Sequence, residues 1–393
     1  MEDSNSSSVC RDLPEKLSSF VDAFVDFSVS GLFFPQNPNP NPNPSPQTTI
    51  PPPRRLVAVG DLHGDLDKSR QALCLAGLID SSGNWTGGSA TAVQIGDVLD
   101  RGGDELRILY YLEKLKLQAS ASGGSLITMN GNHEIMNAEG DFRYVTRSGL
   151  DEFRVWAEWF QIGNSMKSLC LGLQNPNSNL FKGIPTSFPG IKREFHEGIR
   201  ARIAALRPGG PIATRFLSKN QTVVQIGDSV FVHGGILSDH VVYGLDRINV
   251  EVREWMCGLR GGRSPGFARG SDSVVWLRRY SEEKERNCDC LGLEEALRAI
   301  PGAKRMVMGH TIQGDGINGV CGDRAIRIDV GMSKGCVDGV PEVLEIVEGS
   351  GVRVLKKKKN HGSSLKEEER DGGGVGIGFL VPDGGPKQVE VKA

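Results

Sequence analysis

Short, mainly apolar runs recur along the chain, and five of them end in glycine-containing turns that carry Asp, Asn or His. In chain order, these runs are Leu56–Val59, Ala92–Ile95, Ile127–Met129, Val230–Val232 and Met306–Met308. Apolar runs of this length next to glycine favour buried strands, because glycine permits the sharp turn at which a strand ends. The pattern therefore predicts five strand ends whose polar side chains converge on a ligand.

Segments with helical periodicity separate the first three predicted strands. Asp67–Gly77 and Asp104–Gln118 place their apolar residues at helical spacing. The resulting β-α-β-α-β order is typical of parallel strands joined by crossover helices. We therefore expect an α/β (α+β) domain whose ligand groups lie at the carboxyl ends of its strands.

The composition divides the chain into four parts. Residues 1–34 form an N-terminal appendage, in which the apolar residues of Leu17–Phe34 predict a short amphipathic helix that docks on the main domain. Residues 35–53 are rich in Pro and Asn and predict an extended linker. Residues 54–350 form the main, catalytic domain. Residues 351–393 contain charged and Gly-rich runs, which predict a flexible tail.

A largely helical segment interrupts the main domain. Residues 137–220 contain two helical patterns, Gly149–Ile162 and Ile191–Leu206, and no recognisable ligand motif. We expect this insertion to cap the active-site face, and it is the candidate surface for a regulatory partner. After it, Thr222–Ile226 and Ser229–Val232 flank a Gly-Asp pair and predict a β-hairpin.

Composition and charge narrow the choice of partners. The 46 Lys and Arg residues nearly balance the 48 Asp and Glu residues, and the net charge is −2. This balance gives no electrostatic reason to expect nucleic acid as a partner. No apolar run approaches the roughly 20 residues that span a bilayer, so we expect no transmembrane segment.

The cysteines and the N-terminus bear on the cellular compartment. The eight cysteines are scattered, without a C-x-x-C pair. Such scatter argues against a disulfide framework and fits the reduced thiols of an intracellular protein. Redox control through Cys288 and Cys290 is the less favoured alternative. Because the acidic N-terminus lacks the features of a leader, we expect the cytosol, with a mitochondrial compartment as second choice.

The polar residues at the strand ends have the composition of a metal site. The six predicted ligands, three through oxygen and three through imidazole nitrogen, are Asp61, Asp97, Asn132, His63, His233 and His310. This mixed set suits Mn, Fe or Zn better than Ca or Mg, and Mn²⁺ is the first choice. Six ligands exceed what one metal with open positions needs, so we expect two divalent ions. Asp61 and His63 are assigned to the first ion, Asp97 bridges, and the other three ligands complete the second.

Residues next to these ligands fit phosphate chemistry. Arg101 offers a planar guanidinium fork for phosphate oxygens. Arg278 is the predicted second arginine, in preference to Arg279. His133 is the predicted acid that protonates a leaving alkoxide, and Asp100 is expected to hold that imidazole charged and oriented.

Together these segments resemble a known family. The motifs G-D-L-H-G, G-D-V-L-D-R-G, G-N-H-E, H-G-G and G-H-T look like the motif set of the metal-dependent phosphoprotein phosphatase superfamily of Ser/Thr type. The resemblance covers roughly Leu56 to Glu348. It implies a calcineurin-like metallophosphatase fold, which is a sandwich of two mixed β-sheets flanked by helices with a dimetal site at one sheet edge. It also implies the residue roles given above.

Several positions distinguish the chain from the standard eukaryotic enzymes of that superfamily. Val98 stands where those enzymes carry an aromatic residue, and Asn130 stands where they carry Arg. Arg327–Ser333 follows instead of an S-A-P-N-Y-like segment. With Gly140–Val145 after G-N-H-E, the pattern is similar to the bacterial-like Shewanella-like protein phosphatases of plants. The absence of a transit-type N-terminus favours their non-plastid branch.

The resemblance implies a dimetal phosphomonoesterase that acts on phosphoproteins by direct attack of a metal-bound hydroxide. Such an enzyme is also expected to hydrolyse para-nitrophenyl phosphate. The choice between phosphoserine or phosphothreonine and phosphotyrosine stays open. One alternative is a dinucleoside polyphosphate hydrolase, which shares the motifs, but no adenine-stacking platform is evident. A catalytically inactive scaffold or binding protein is disfavoured, because every predicted ligand position is intact.

Overall fold

The computed structural model describes residues 14–34, 47–169, 179–348 and 351–357. Its strands are β1 Thr49–Ile50, β2 Arg55–Val59, β3 Thr91–Gln94, β4 Ser125–Thr128, β5 Val223–Ile226, β6 Ser229–Val232, β7 Arg305–Met308, β8 Asn318–Val320, β9 Ala325–Arg327, β10 Glu342–Val347 and β11 Gly351–Lys356. Its α-helices are α1 Pro14–Ser30, α2 Leu66–Leu75, α3 Glu105–Ala121, α4 Asn132–Glu139, α5 Arg147–Ser168, α6 His196–Leu206, α7 Pro211–Arg215, α8 Ser238–Tyr243, α9 Leu245–Met256 and α10 Cys290–Ala299. The strands form two mixed sheets, one in the order β11-β10-β2-β3-β4 and one in the order β1-β5-β6-β7-β9-β8.

The five-stranded sheet contains the predicted parallel strands. β2 pairs in parallel with β3, and β3 with β4, so that Ala58 lies opposite Val93 and Val93 lies opposite Ile127. β10 runs antiparallel to β2, and β11 runs antiparallel to β10. Successive residues of β2 and β3 are buried, so both sheet faces are covered. This burial explains why these strands are nearly continuous apolar runs rather than alternating ones.

The six-stranded sheet contains the predicted hairpin. β5 and β6 pair antiparallel, with Val224 opposite Phe231, and Gly227 in the connecting turn adopts φ +60°. β6 and β7 run parallel, as do β7 and β9. One hydrophobic core includes residues of both sheets. The carboxyl ends of β2, β3, β4, β6 and β7 each lead into one of the five polar turns.

Both predicted boundaries of the main domain were wrong. β1 pairs in parallel with β5, and Thr48 is buried, so the sheet begins inside the predicted linker rather than after it. At the other end, β11 extends the five-stranded sheet as far as Lys356, inside the predicted tail. Local composition missed both strands, because each is held by pairing with a distant or preceding strand. Residues 35–46 of the linker and 358–393 of the tail lie outside the described residues.

Helix α1 packs against the main domain through α3 and α5. Val21 and Val25 are buried, and Asp26 forms an ion pair with Arg215 at 2.6 Å. Burial of an apolar face and a charged contact at its edge explain the docking of this amphipathic helix. No helix in the described part of the chain is both long and apolar enough to span a bilayer.

The predicted insertion contains α5, α6 and α7, and α5 packs along α6. The insertion has a small hydrophobic cluster of its own, in which α5 and α6 contact each other. The cluster consists of Phe142, Val145, Leu150 and Ile199. Glu152 of α5 accepts hydrogen bonds from the backbone of Leu106 and Arg107, at the start of α3. The insertion is therefore fastened to the helix that follows the second polar turn.

The expectation of reduced thiols was wrong for one pair of cysteines. Cys290 and Cys321 form a disulfide, with Cα atoms 5.3 Å apart. Cys288, which the sequence had paired with Cys290 as a redox alternative, is a free thiol. Spacing along the chain could not predict this bond, because it depends on the packing of α10 beside the β8–β9 hairpin.

Candidate metal centre

Unusual backbone geometry marks the strand ends. Non-glycine residues with positive φ occur at five of the predicted site positions, namely His63, Asp97, Asp100, Arg101 and His310. A side chain at positive φ is strained, and such strain persists only where the surrounding structure compels it. The surrounding fold therefore holds these turns in a strained backbone conformation, which directs the side chains into one region.

Asp97 lies at the centre of that region. Ligand atoms of His63, Asp97 and His133 lie within 4.8 Å of one another, and so do those of Asp97, His233 and His310. The carboxylate of Asp97 belongs to both groups, which is the arrangement expected of a ligand that bridges two ions. The first group contains the predicted acid His133 rather than the predicted ligand Asp61.

Asn132 and Asp61 complete the same region. Oδ1 of Asn132 lies 3.0 Å from Nε2 of His233, and that Nε2 lies 3.1 Å from Oδ2 of Asp97. Asp61 accepts a hydrogen bond from the backbone N–H of His310 at 3.2 Å. The structure thus brings all six predicted ligands together.

Backbone carbonyl groups orient two of the imidazoles. Nδ1 of His63 lies 3.0 Å from the carbonyl oxygen of Leu99, and Nδ1 of His233 lies 3.0 Å from that of Ile95. Donation from Nδ1 leaves Nε2 as the nitrogen that faces the centre. Metal-binding histidines commonly have such partners, which set the tautomer and the ring orientation.

Two buried polar atoms at the centre have no hydrogen-bond partner among the described residues. They are Nε2 of His310 and Nε of Arg101. Unsatisfied buried polar atoms are rare, so each requires an explanation such as an ion or a ligand. A metal at His310 and an anion at Arg101 fit the chemistry of these two groups.

The protonation states of His63 and His310 are compatible with metal binding. Burial and the neighbouring His133 lower the pKa of His63 to about 3. Burial also holds the pKa of His310 well below its usual range, with a further contribution from His233. Both imidazoles are therefore neutral near pH 7, as a metal ligand must be.

The His233–Asp97 pair holds a proton in the metal-free protein. Burial is the largest single influence and would lower the pKa of His233, but the neighbouring carboxylates, Asp97 before Asp61, together outweigh it and raise this pKa to about 10. Burial likewise favours protonation of Asp97, but the surrounding imidazoles hold its pKa well below its usual range. A cation that binds His233 must displace this proton.

Asp329 is a buried carboxylate that the sequence reasoning did not assign. Burial raises the pKa of Asp61 well above its usual range, and the charge of Asp329 raises it further. Oδ1 of Asp329 accepts a hydrogen bond from the backbone of Gly331. Two neighbouring buried carboxylates repel each other unless a proton or a cation lies nearby, which again fits a metal site.

The predicted acid and its partner are in direct contact. Nδ1 of His133 lies 2.6 Å from Oδ2 of Asp100, and both side chains are buried. Burial alone would lower the pKa of His133, but Asp97 and Asp100 together raise it. The hydrogen bond to Nδ1 leaves Nε2 as the nitrogen from which a proton can be transferred.

Both predicted phosphate-binding arginines lie at the rim of the centre. The guanidinium of Arg101 lies 4.7 Å from the ring centroid of Tyr144, a residue of the insertion. Arg278 donates from Nη1 to the backbone carbonyl of His310 at 2.8 Å. Arg279 is instead turned outward and pairs with Asp272. Geometry therefore agrees with the choice of Arg278 over Arg279.

Glu134 is a second buried carboxylate without a predicted role. It accepts hydrogen bonds from four backbone N–H groups, those of Asp97, Val98, Leu99 and Gly131. Glu134 therefore ties the turn after β3 to the start of α4. Its place as the last residue of G-N-H-E was the available sequence signal.

Arg202 was missed because nothing in its local sequence distinguishes it. It lies in α6, is completely buried, and donates to Asp100 and Glu105. The insertion therefore carries a residue that reaches the site, although its sequence contains no recognisable ligand motif.

Comparisons with known proteins agree with this geometry. Residues 54–314 match the family described as calcineurin-like phosphoesterase. Shewanella-like protein phosphatase 2 of Arabidopsis thaliana is 61% identical over 390 residues, which are 99% of each chain. This chain belongs to the calcineurin-like phosphoesterase family, and within it to the Shewanella-like protein phosphatases. It is a metallophosphatase, a hydrolase of phosphate esters.

More distant relatives share the same framework. Shewanella-like protein phosphatase 1 of Plasmodium berghei is 27% identical over 288 residues, covering 71% of this chain and 67% of that protein. The crystal structure of a cold-active protein-tyrosine phosphatase of a psychrophile Shewanella sp. superposes with a TM-score of 0.53 at 22% identity, covering 79% of this chain and 82% of that one. The predicted fold class, a calcineurin-like sandwich of two mixed sheets with helices, is confirmed. The family uses a dimetal centre, and the ligand groups described above fit one.

Proposed function

We propose that this metallophosphatase is a dimetal phosphomonoesterase that removes phosphate from phosphoproteins. The observation that carries the proposal is the position of Asp97, whose Oδ2 lies 3.7 Å from Nε2 of His63 and 3.1 Å from Nε2 of His233, next to the buried His133–Asp100 pair. A shared carboxylate, an acid and two arginines together provide the groups that hydrolysis of a phosphomonoester requires. The name of the Arabidopsis relative, a protein phosphatase, supports a protein substrate.

The ligand assignment follows the sequence prediction. Asp61 and His63 would hold the first ion, Asn132, His233 and His310 would hold the second, and Asp97 would serve as the ligand common to both. When bound, two such cations polarise the phosphoryl oxygens and lower the pKa of a water molecule. Mixed oxygen and nitrogen ligands favour Mn²⁺, with Fe or Zn as alternatives.

The remaining groups bind the substrate and move one proton. The guanidinium groups of Arg101 and Arg278 bind phosphate oxygens, which gives the unpartnered Nε of Arg101 an acceptor. His133 delivers a proton from Nε2 to the leaving oxygen, while Asp100 holds Nδ1. Burial of this pair excludes bulk water from the proton donor.

Partner and compartment belong to the same proposal. We place the protein in the cytosol, with mitochondria as second choice, and assign the insertion as the surface for a regulatory partner. The near balance of charge supports a protein rather than a nucleic-acid substrate.

The test is hydrolysis after EDTA treatment and Mn²⁺ readdition, with four substrates. These are para-nitrophenyl phosphate, a phosphoserine peptide, a phosphotyrosine peptide and diadenosine tetraphosphate. We expect Mn-dependent turnover of the aryl ester and of at least one peptide. Faster turnover of the dinucleotide than of either peptide would instead favour the alternative hydrolase.

Matched variants test the assigned residues. Asp97→Asn should lose bound metal and activity together, whereas Asp104→Asn, in an exposed ion pair with Arg107, should keep both. Arg278→Met should raise KM, and Arg279→Met should not. Full activity of Asp97→Asn would refute the assignment, and metal-free, inactive wild-type protein would favour the scaffold alternative.

A further inference from the structure

Arg202 joins the helical insertion to the candidate active site through four hydrogen bonds. Its Nη2 lies 2.9 Å from Oδ1 of Asp100 and 2.6 Å from Oε2 of Glu105. Its Nη1 lies 2.9 Å from Oε1 of Glu105, and its Nε lies 2.7 Å from Oδ1 of Asn137. Each of the three guanidinium nitrogens therefore has a partner, and the planar group is fixed in one orientation.

Asp100 is held equally firmly. Its Oδ1 accepts from Arg202, its Oδ2 lies 2.6 Å from Nδ1 of His133, and its backbone N–H donates to Glu105. Asp100 itself has φ +70°, a conformation that its surroundings must enforce. A carboxylate whose two oxygens have different fixed partners cannot rotate without breaking one of these bonds.

The surroundings of the contact exclude water. Arg202, Asp100 and Glu105 are completely buried, and the rings of Phe142 and Phe153 lie 5.8 and 4.6 Å from the guanidinium carbon. Charged hydrogen bonds are strong and directional in such an environment. Arg202 thus controls the position of the group that holds the imidazole.

We propose that Arg202 is a positioning residue for proton transfer: it fixes Asp100, Asp100 orients His133, and the insertion is thereby part of the catalytic apparatus. The proposal rests on the proposed function, in which His133 protonates the leaving group. The competing explanation is an ion pair that only fastens α6 to the domain. The two explanations differ in whether the fall in kcat caused by replacing Arg202 depends on the leaving group of the substrate.

The experiment compares phenyl phosphate with para-nitrophenyl phosphate. The two esters have similar shapes, but phenolate is a far poorer leaving group and needs the proton more. A defect in proton donation therefore lowers kcat mainly for phenyl phosphate, whereas a general loss of folded or metal-loaded enzyme lowers both equally.

Three variants separate the explanations. Arg202→Lys keeps the charge but loses the fork. Arg202→Met combined with Glu105→Gln removes one positive and one negative charge, which avoids an unpaired buried carboxylate. Arg207→Met is the matched control, because Arg207 follows the same helix and its guanidinium, in the part of the chain that the structure describes, donates to the backbone carbonyls of Leu180 and Lys182.

In both Arg202 variants we expect kcat for phenyl phosphate to fall at least about tenfold, with a fall of less than about threefold for para-nitrophenyl phosphate. KM and the metal content per chain should be unchanged. Arg207→Met should match wild type with both esters. Selective ¹⁵N-histidine NMR of the metal-free variants should show a changed Nδ1–H signal for His133.

Equal losses with the two esters, or an unchanged Nδ1–H signal, would overturn the positioning role. His133→Asn distinguishes this failure from failure of the proposed function. If that variant also shows no dependence on the leaving group, the assignment of His133 as the acid is wrong. If it shows the dependence and the Arg202 variants do not, only the role of Arg202 is refuted.

Discussion

The imidazole of His133 donates from Nδ1 to Oδ2 of Asp100 across 2.6 Å, and neither side chain is accessible to solvent to any useful extent. The two residues lie 33 positions apart in the chain, in the polar segments that follow β3 and β4. We therefore expect them to act as a single unit, in which the carboxylate holds the imidazole in one orientation.

A double-mutant comparison should reveal this unit. We expect His133→Asn to lower kcat for phenyl phosphate by at least about a hundredfold, since general acid catalysis contributes effects of that size. Asp100→Asn should be slower than wild type, and the double variant should be no slower than His133→Asn alone. His196→Asn, outside the site, serves as control. Multiplicative losses in the double variant would show that the residues act independently.

Loss of the Glu134 carboxylate should weaken both the fold and the metal site. Glu134→Gln retains one acceptor oxygen and leaves several buried N–H groups unsatisfied, which should cost about 2–4 kcal/mol of unfolding free energy. Because Glu134 positions the turn that carries Asp97, metal affinity should fall about tenfold to a hundredfold.

Urea denaturation and metal titration measure these two effects. Glu139→Gln is the matched control, because Glu139 is an exposed carboxylate on the same helix. Wild-type metal affinity in Glu134→Gln would show that the turn after β3 keeps its shape without this support.

Metal binding should release protons below about pH 10. In the metal-free protein, burial alone would lower the pKa of His233, but the charges of Asp97 and Asp61 and the hydrogen bond to Asp97 together raise it to about 10. The cation displaces that proton, so apparent affinity should rise with pH, by up to about tenfold per pH unit for one proton. Calorimetric titration in two buffers of different ionisation enthalpy counts the protons released. An affinity independent of pH between neutrality and pH 9 would contradict the bound proton.

The disulfide should contribute to stability in the oxidised protein. It closes a loop with a sequence separation of 31 residues, for which loss of chain entropy on cross-linking predicts about 4 kcal/mol. We expect Cys290→Ser combined with Cys321→Ser, or treatment with reductant, to lower the urea midpoint. Cys288→Ser should leave it unchanged, since Cys288 is a free thiol. Identical midpoints for oxidised and reduced wild type would refute the contribution.

Much of the site was predictable because its signals are local. Each ligand lies within a few residues of a buried strand, and the turn chemistry that directs Asp61 or His310 is encoded in the same short motif. The parallel order of β2, β3 and β4 also followed from local periodicity. The predicted boundaries of the main domain missed β1 and β11, because these strands are too short or too polar to be recognised without their pairing partners.

The sequence by itself determined which residues are polar at the strand ends, and hence the prediction of six ligands, of His133 as the acid and of Arg278. Only the tertiary structure decided which groups outside these motifs meet. Arg202 reaches Asp100 across 102 residues, and Cys290 reaches Cys321 by the packing of a helix beside a hairpin. The physical reason is that backbone propensity acts over a few residues, whereas the partner of a buried charge or thiol depends on how whole elements pack.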